Sequence, residues 1–124
     1  MIIRATDAPI FTVPGFSIRG LASPARGSKE LSSWRLEAAP GASSPAHTLS
    51  NEEIFHVLRG ALRLTLDDVD TILHAGDAAA VHAGTRLRVS NPFDADAEAV
   101  VCVPAGIQAH LLDGTALGTP EWAR

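Results

Sequence analysis

Cysteine is almost absent from this chain: Cys102 is the only one in 124 residues. One thiol can close no intrachain disulfide and build no zinc ribbon, so the fold must rest on buried apolar surface, and a cytoplasmic location is expected. At this length one domain, residues 1–124, buries roughly two thirds of the surface its unfolded form exposes, enough for a single core. Concentrated positive charge is also missing. The ten bases, nine of them arginine, are scattered among fourteen acids for a net charge of -4, which argues against a nucleic-acid partner. The longest uninterrupted apolar run, Ala99 to Val103, is five residues, against the roughly 20 that a membrane helix needs. No membrane partner is expected. Asp7, Pro9 and Pro14 interrupt the N-terminal stretch too early for a secretory leader. Glycine-rich nucleotide loops and nucleophile-elbow patterns do not occur, and Ser32-Ser33 and Ser43-Ser44 read as loop and strand-edge residues.

What the chain does have is punctuation. Ten glycines and eight prolines recur every several residues and leave room for short strands rather than helices. The segments that fit are Ile10 to Val13, Phe16 to Leu21, Leu31 to Ala38, Glu53 to Leu58, Ala61 to Leu66, Asp70 to Leu73, Asp77 to Val81, Leu87 to Ser90 and Ala97 to Val103. In Ala61 to Leu66, Leu62, Leu64 and Leu66 alternate with Arg63 and Thr65, so one face is buried and the other wetted. Asp67-Asp68-Val69-Asp70 then turns the chain back as a hairpin without the usual glycine. Many short strands in one domain predict an all-β sandwich or barrel.

Two stretches narrow the choice. Gly41, His47, Glu53 and Gly60 fall on the spacing G, five residues, H-x-H, three or four residues, E, six residues, G; Gly76, Gly84 and Asn91 fall on G, five residues, P-x-G, two residues, H, three residues, N. Residues 41–60 and 76–91 thus resemble the two signature motifs of the cupin family, and Val100 to Gly106 looks like that family's closing strand. The resemblance implies a double-stranded β-helix, or jelly-roll barrel, that is commonly dimeric. It leads to a homodimer as an expectation, with the N-terminal strand added to a neighbour's sheet.

In metal-binding cupins both histidines of H-x-H, the glutamate and the second-motif histidine converge on one divalent ion. Here the second and third of those histidines are Leu49 and Leu87, and the proline of P-x-G is His82. Only His47 and Glu53 remain at ligand positions, and two donors make a weak site where a catalytic metal normally takes three. No cofactor is therefore expected, a weakly held iron, manganese, nickel or zinc ion being the alternative. Strand parity sends His56 to the face opposite Glu53 unless a bulge intervenes. By the same rule Leu87 and Val89 point inward, Arg86 and Arg88 outward, and His82 sits at the rim. His74 reads as a surface imidazole, and so does His110, whose direction parity does not fix.

His47 and Glu53 are either relics held by water and each other, or a proton-transfer couple in a dry pocket. Burial raises a carboxyl's pKa, and such a pair suits isomerisation, epimerisation or ring closure without a metal. Trp34, Leu49, Phe55, Leu64, Leu87, Val89 and Cys102 are the residues expected to line that pocket, and Trp122 to pack a tail against the barrel or a partner subunit. Three functions stay open: an unidentified small-molecule ligand bound in an apolar pocket, with or without acid/base chemistry; a metal-dependent dioxygenase or sugar isomerase with an unconventional third ligand; and a non-catalytic dimeric module with a filled barrel.

Overall fold

The computed structural model describes residues 1–124 and contains twelve strands and two short 3-10 turns. The strands are β1 (Ile10–Val13), β2 (Phe16–Gly20), β3 (Leu31–Ala38), β4 (His47–Leu49), β5 (Glu53–Arg59), β6 (Ala61–Leu66), β7 (Val69–His74), β8 (Ala78–Val81), β9 (Leu87–Ser90), β10 (Ala97–Pro104), β11 (Ala109–Leu111) and β12 (Ala116–Gly118). They form two antiparallel six-stranded sheets, ordered β1-β2-β3-β10-β5-β8 and β12-β11-β4-β9-β6-β7. The fold is the all-β barrel the motifs imply. No helix is long and apolar enough to cross a membrane.

Alternation builds the interior. In β5 Glu53, Phe55 and Val57 are buried and Ile54, His56 and Leu58 exposed. In β3 Ser32, Trp34, Leu36 and Ala38 turn inward. The inward sets of both sheets meet in one core of 22 buried residues. The β6–β7 hairpin closes with Leu66 opposite Val69, so its loop has two residues, Asp67 and Asp68, both at positive φ (48° and 68°). Such a turn favours glycine or asparagine. Here Arg86 holds both aspartates: its backbone N–H donates to Asp67 Oδ1 at 3.0 Å, and its guanidinium lies 3.0 Å from Asp68 Oδ2.

Two motif residues turn out to be structural. Gly60 joins β5 to β6 at φ +69°, and a Cβ there would lie 2.5 Å from the Asp96 carbonyl oxygen. Any side chain would have to push the start of β10 away. Asn91, fully buried, donates from Nδ2 to the carbonyls of Ala38 (3.0 Å) and Ala95 (2.8 Å), and its Oδ1 accepts from the Phe93 N–H (3.1 Å). It ties the end of β9 to β3 and to the loop that leads into β10.

β1 pairs with β2 of its own chain. At the other end, the 3-10 turn Glu121–Ala123 is bound back to the barrel by Ser32 Oγ, which donates to the Ala123 carbonyl (2.8 Å), and by Arg26 Nη2, which donates to the Trp122 carbonyl (2.8 Å). Trp122 rests edge-on against Trp34, with centroids 6.3 Å apart and planes at 67°.

Candidate functional site

The barrel is hollow at one end. A cavity of about 400 Å³ opens between the sheets on the side of β1, β11 and β12 and is lined by 19 residues, 13 of them hydrophobic. Toward β6 and β7 the interior is filled instead by Leu62, Leu64, Leu73 and Leu87. Among the lining side chains only His47 and Glu53 titrate, and neither lysine nor arginine is present. Glu53 is presented by β5 in one sheet and His47 by β4 in the other, so the two groups reach the cavity from opposite walls.

Glu53 is 6% exposed. Burial pushes its pKa up to about 8, and desolvation is the whole cause, since no hydrogen bond or neighbouring charge holds the anion. At neutral pH the group is a carboxylic acid, able to donate. His47 has its Nδ1 2.8 Å from the Pro45 carbonyl oxygen. A carbonyl can only accept, so Nδ1 carries the hydrogen, and in the neutral ring Nε2 is the nitrogen with the free lone pair. The site therefore sets a carboxylic acid that can donate across from an imidazole whose Nε2, in the neutral ring, can accept. The third polar side chain, Ser44, is already engaged: its Oγ accepts from the Val89 N–H (3.0 Å) and donates to the Pro45 carbonyl (3.2 Å).

Of the residues expected to line a pocket, Trp34, Leu49, Phe55 and Val89 do so. Three do not. Leu64 and Leu87 are 1% exposed inside the filled half of the barrel, where packing leaves no void for them to face. Cys102 stands between Val101 and Val103, whose side chains point inward, so period-two alternation puts the thiol on the outer face and Val101 on the cavity. Val100-Val101-Cys102-Val103 is apolar throughout, so the run by itself gives no direction for the thiol. The remaining wall comes from segments that carry no motif: Phe16 and Ile18 of β2, Ile107, Ala109, and from the C-terminal stretch Leu117, Pro120 and Trp122. For Phe16 and Ile18 the signal was their alternation with Ser17 and Arg19; for the C-terminal stretch there was none beyond the tryptophan itself.

The other histidines stay outside. His56 and His74 are exposed, and β5 pairs with β8 without a bulge from Glu53 to His56. His82 is exposed at the rim with Nε2 3.8 Å from Glu52, and His110 is half-buried on the strand face opposite Ala109. Leu87 is the cross-strand partner of His47, so an aliphatic side chain occupies the place beside the imidazole. Nowhere do three His, Cys, Asp or Glu side chains gather in a group that could hold a metal ion. A resident ion of the kind found in metal-binding cupins does not fit this donor set.

The family model of the Cupin domain matches residues 34–104. Among solved structures, the fold is similar to the polyketide cyclase RemF from Streptomyces resistomycificus, with 19% identity, a TM-score of 0.79, and 98% of this chain and 87% of that one covered. It is also similar to a predicted oxalate decarboxylase from Thermotoga maritima (22% identity, TM-score 0.72, 85% and 99% covered). A third is a sugar phosphate isomerase of the cupin superfamily from Silicibacter pomeroyi (24% identity, TM-score 0.64, 87% and 78% covered). Identities this low speak for the shared fold alone. Comparison with curated proteins finds no match.

Proposed function

The chain belongs to the cupin family, and from that premise we propose that it binds a small carbonyl compound and moves protons on it by metal-independent acid/base chemistry. The observation that supports this reading is the pairing of His47 and Glu53 as the only titratable side chains of an otherwise apolar cavity. His47 Nε2 takes a proton from the carbon next to the carbonyl. The C–H electron pair becomes the new C=C bond, and the carbonyl oxygen takes the Glu53 proton, giving a neutral enol. Return of a proton on the other face is epimerisation, its return at a different carbon is isomerisation, and attack of the enol carbon on a second carbonyl is ring closure. Of these, ring closure also accords with the likeness to a polyketide cyclase.

The test is exchange of α-hydrogens for deuterium in heavy water, followed by NMR on acetylnaphthalene as probe ketone. Wild-type protein is expected to accelerate exchange, and Glu53→Gln and His47→Ala are each expected to lower the rate about 100-fold or more, the usual scale of one acid/base group. The donor is lost as Glu53 ionises, so the wild-type rate falls roughly tenfold per pH unit above pH 8. Exchange that is equal in wild type and both variants overturns the reading.

A further inference from the structure

The polar inventory of the cavity restricts what can lie in it. Ser44 Oγ and His47 Nδ1 are spent on backbone partners, which leaves two free handles, the Glu53 carboxyl and His47 Nε2. An anionic ligand would leave water for a cavity without lysine or arginine, where its charge goes uncompensated unless His47 is protonated. A polyol would strip several hydroxyls of water and find partners for at most two. Rings, by contrast, find rings: Phe16, Trp34, Phe55 and Trp122 all face the space, and Trp34 and Trp122 meet edge to face. At about 400 Å³ the volume lies in the lower part of the range of small-molecule sites. The mouth is apolar too, because Val13 on β1 and Leu117 on β12 line the cavity while remaining 39% and 49% exposed.

We propose that the ligand is a neutral, ring-bearing carbonyl compound with one or two polar groups, and that anionic acids and phosphorylated sugars are excluded. This rests on the acid/base reading for the roles of the two handles, but it has its own readout. Val13, Phe16, Leu117 and Trp122 lie outside residues 34–104, so the terminal segments share in the selectivity with Trp34 and Phe55 of the part that matches the family.

The experiment is calorimetric titration of the intact wild-type protein at neutral pH with three probes: acetylnaphthalene, naphthoate, which keeps the rings and replaces the ketone by a carboxylate, and a hexose phosphate. Tryptophan emission is followed in parallel. The chain has two tryptophans and no tyrosine, and both tryptophans line the cavity, so the emission reports on that space. The ketone is expected to bind at least tenfold more tightly than naphthoate and to change the emission, while the hexose phosphate gives no heat. The proposal is overturned if the ketone fails to bind, if it binds without altering the emission, or if naphthoate or the hexose phosphate binds as tightly. Selective ketone binding without accelerated deuterium exchange would sink the acid/base reading and leave the ligand class standing. Exchange catalysed on the ketone together with equal affinity for naphthoate would do the reverse.

Discussion

Glu53 holds its proton over a wider range of pH in the folded chain than in the unfolded one, and this makes it a liability for stability as well as a reagent. Below about pH 4.5 both states are protonated and the residue contributes no pH dependence; between about 4.5 and about 8 the unfolded chain releases the proton and the native chain keeps it. The native state then binds more protons, so unfolding free energy falls as pH rises through that window and levels off above it. One proton held across one pH unit is worth about 1.4 kcal/mol, so the loss across the window is on the order of several kcal/mol. Glu53→Gln removes the titration. Urea unfolding at about pH 5, 7 and 9 should show wild-type stability declining and the variant lacking that part of the decline, with its advantage largest at the alkaline end. Parallel curves for the two proteins would mean that the carboxyl is already ionised at neutral pH.

Among the elements, the C-terminal stretch is bound back to the barrel through a few hydrogen bonds from Arg26, Ser32 and Gln108. It forms part of the cavity wall through Leu117, Pro120 and Trp122. Arg26 anchors it with a guanidinium that donates from Nε to the Leu21 carbonyl (2.7 Å) and from Nη2 to the Trp122 carbonyl (2.8 Å). Arg26→Ala is expected to cost about 1 to 3 kcal/mol, the scale of charge-assisted hydrogen bonds, and to shift tryptophan emission to the red as the Trp122 indole meets water. Unchanged emission at reduced stability would show that Ser32 and the buried Ala123 hold the segment without Arg26. The same stretch marks where the sequence stops being legible. Nine strands can be read because each carries its own alternation or apolar run, as in Leu62-Arg63-Leu64-Thr65-Leu66. β4, β11 and β12 cannot, because each has only three residues and is defined by its partners: β4 is held by β11 and by a single register pair with β9. A period cannot be read from three residues. His47 is legible nevertheless, through motif spacing rather than strand pattern. Cys102 shows the opposite case, in which the reactivity of a thiol says nothing of its direction and the parity of β10 assigns the cavity to Val101.

For the molecule as a whole, the two halves of the barrel use the same architecture to different ends. Leucines fill the β6–β7 half, whereas between β2, β3, β4 and β11 a space of about 400 Å³ is left unfilled. Apolar atoms lining a void lose the dispersion contacts that close packing supplies, so the empty half stabilises the fold less than the full half does. A hollow that lowers stability and gathers both inward-facing titratable groups is what a binding site requires and what a purely structural barrel has no use for. Ala109→Leu separates these roles. Ala109 sits on β11 opposite Leu49 with its side chain on the cavity, and leucine adds three carbons where there is room. Filling the space is expected to leave stability unchanged or raise it by about 1 kcal/mol in urea unfolding. Calorimetry should show at least tenfold weaker binding of acetylnaphthalene, and the exchange rate should fall with it although His47 and Glu53 are untouched. Destabilisation by the larger side chain would mean that this end of the barrel is already packed, and undiminished binding would put the ketone somewhere other than between the sheets.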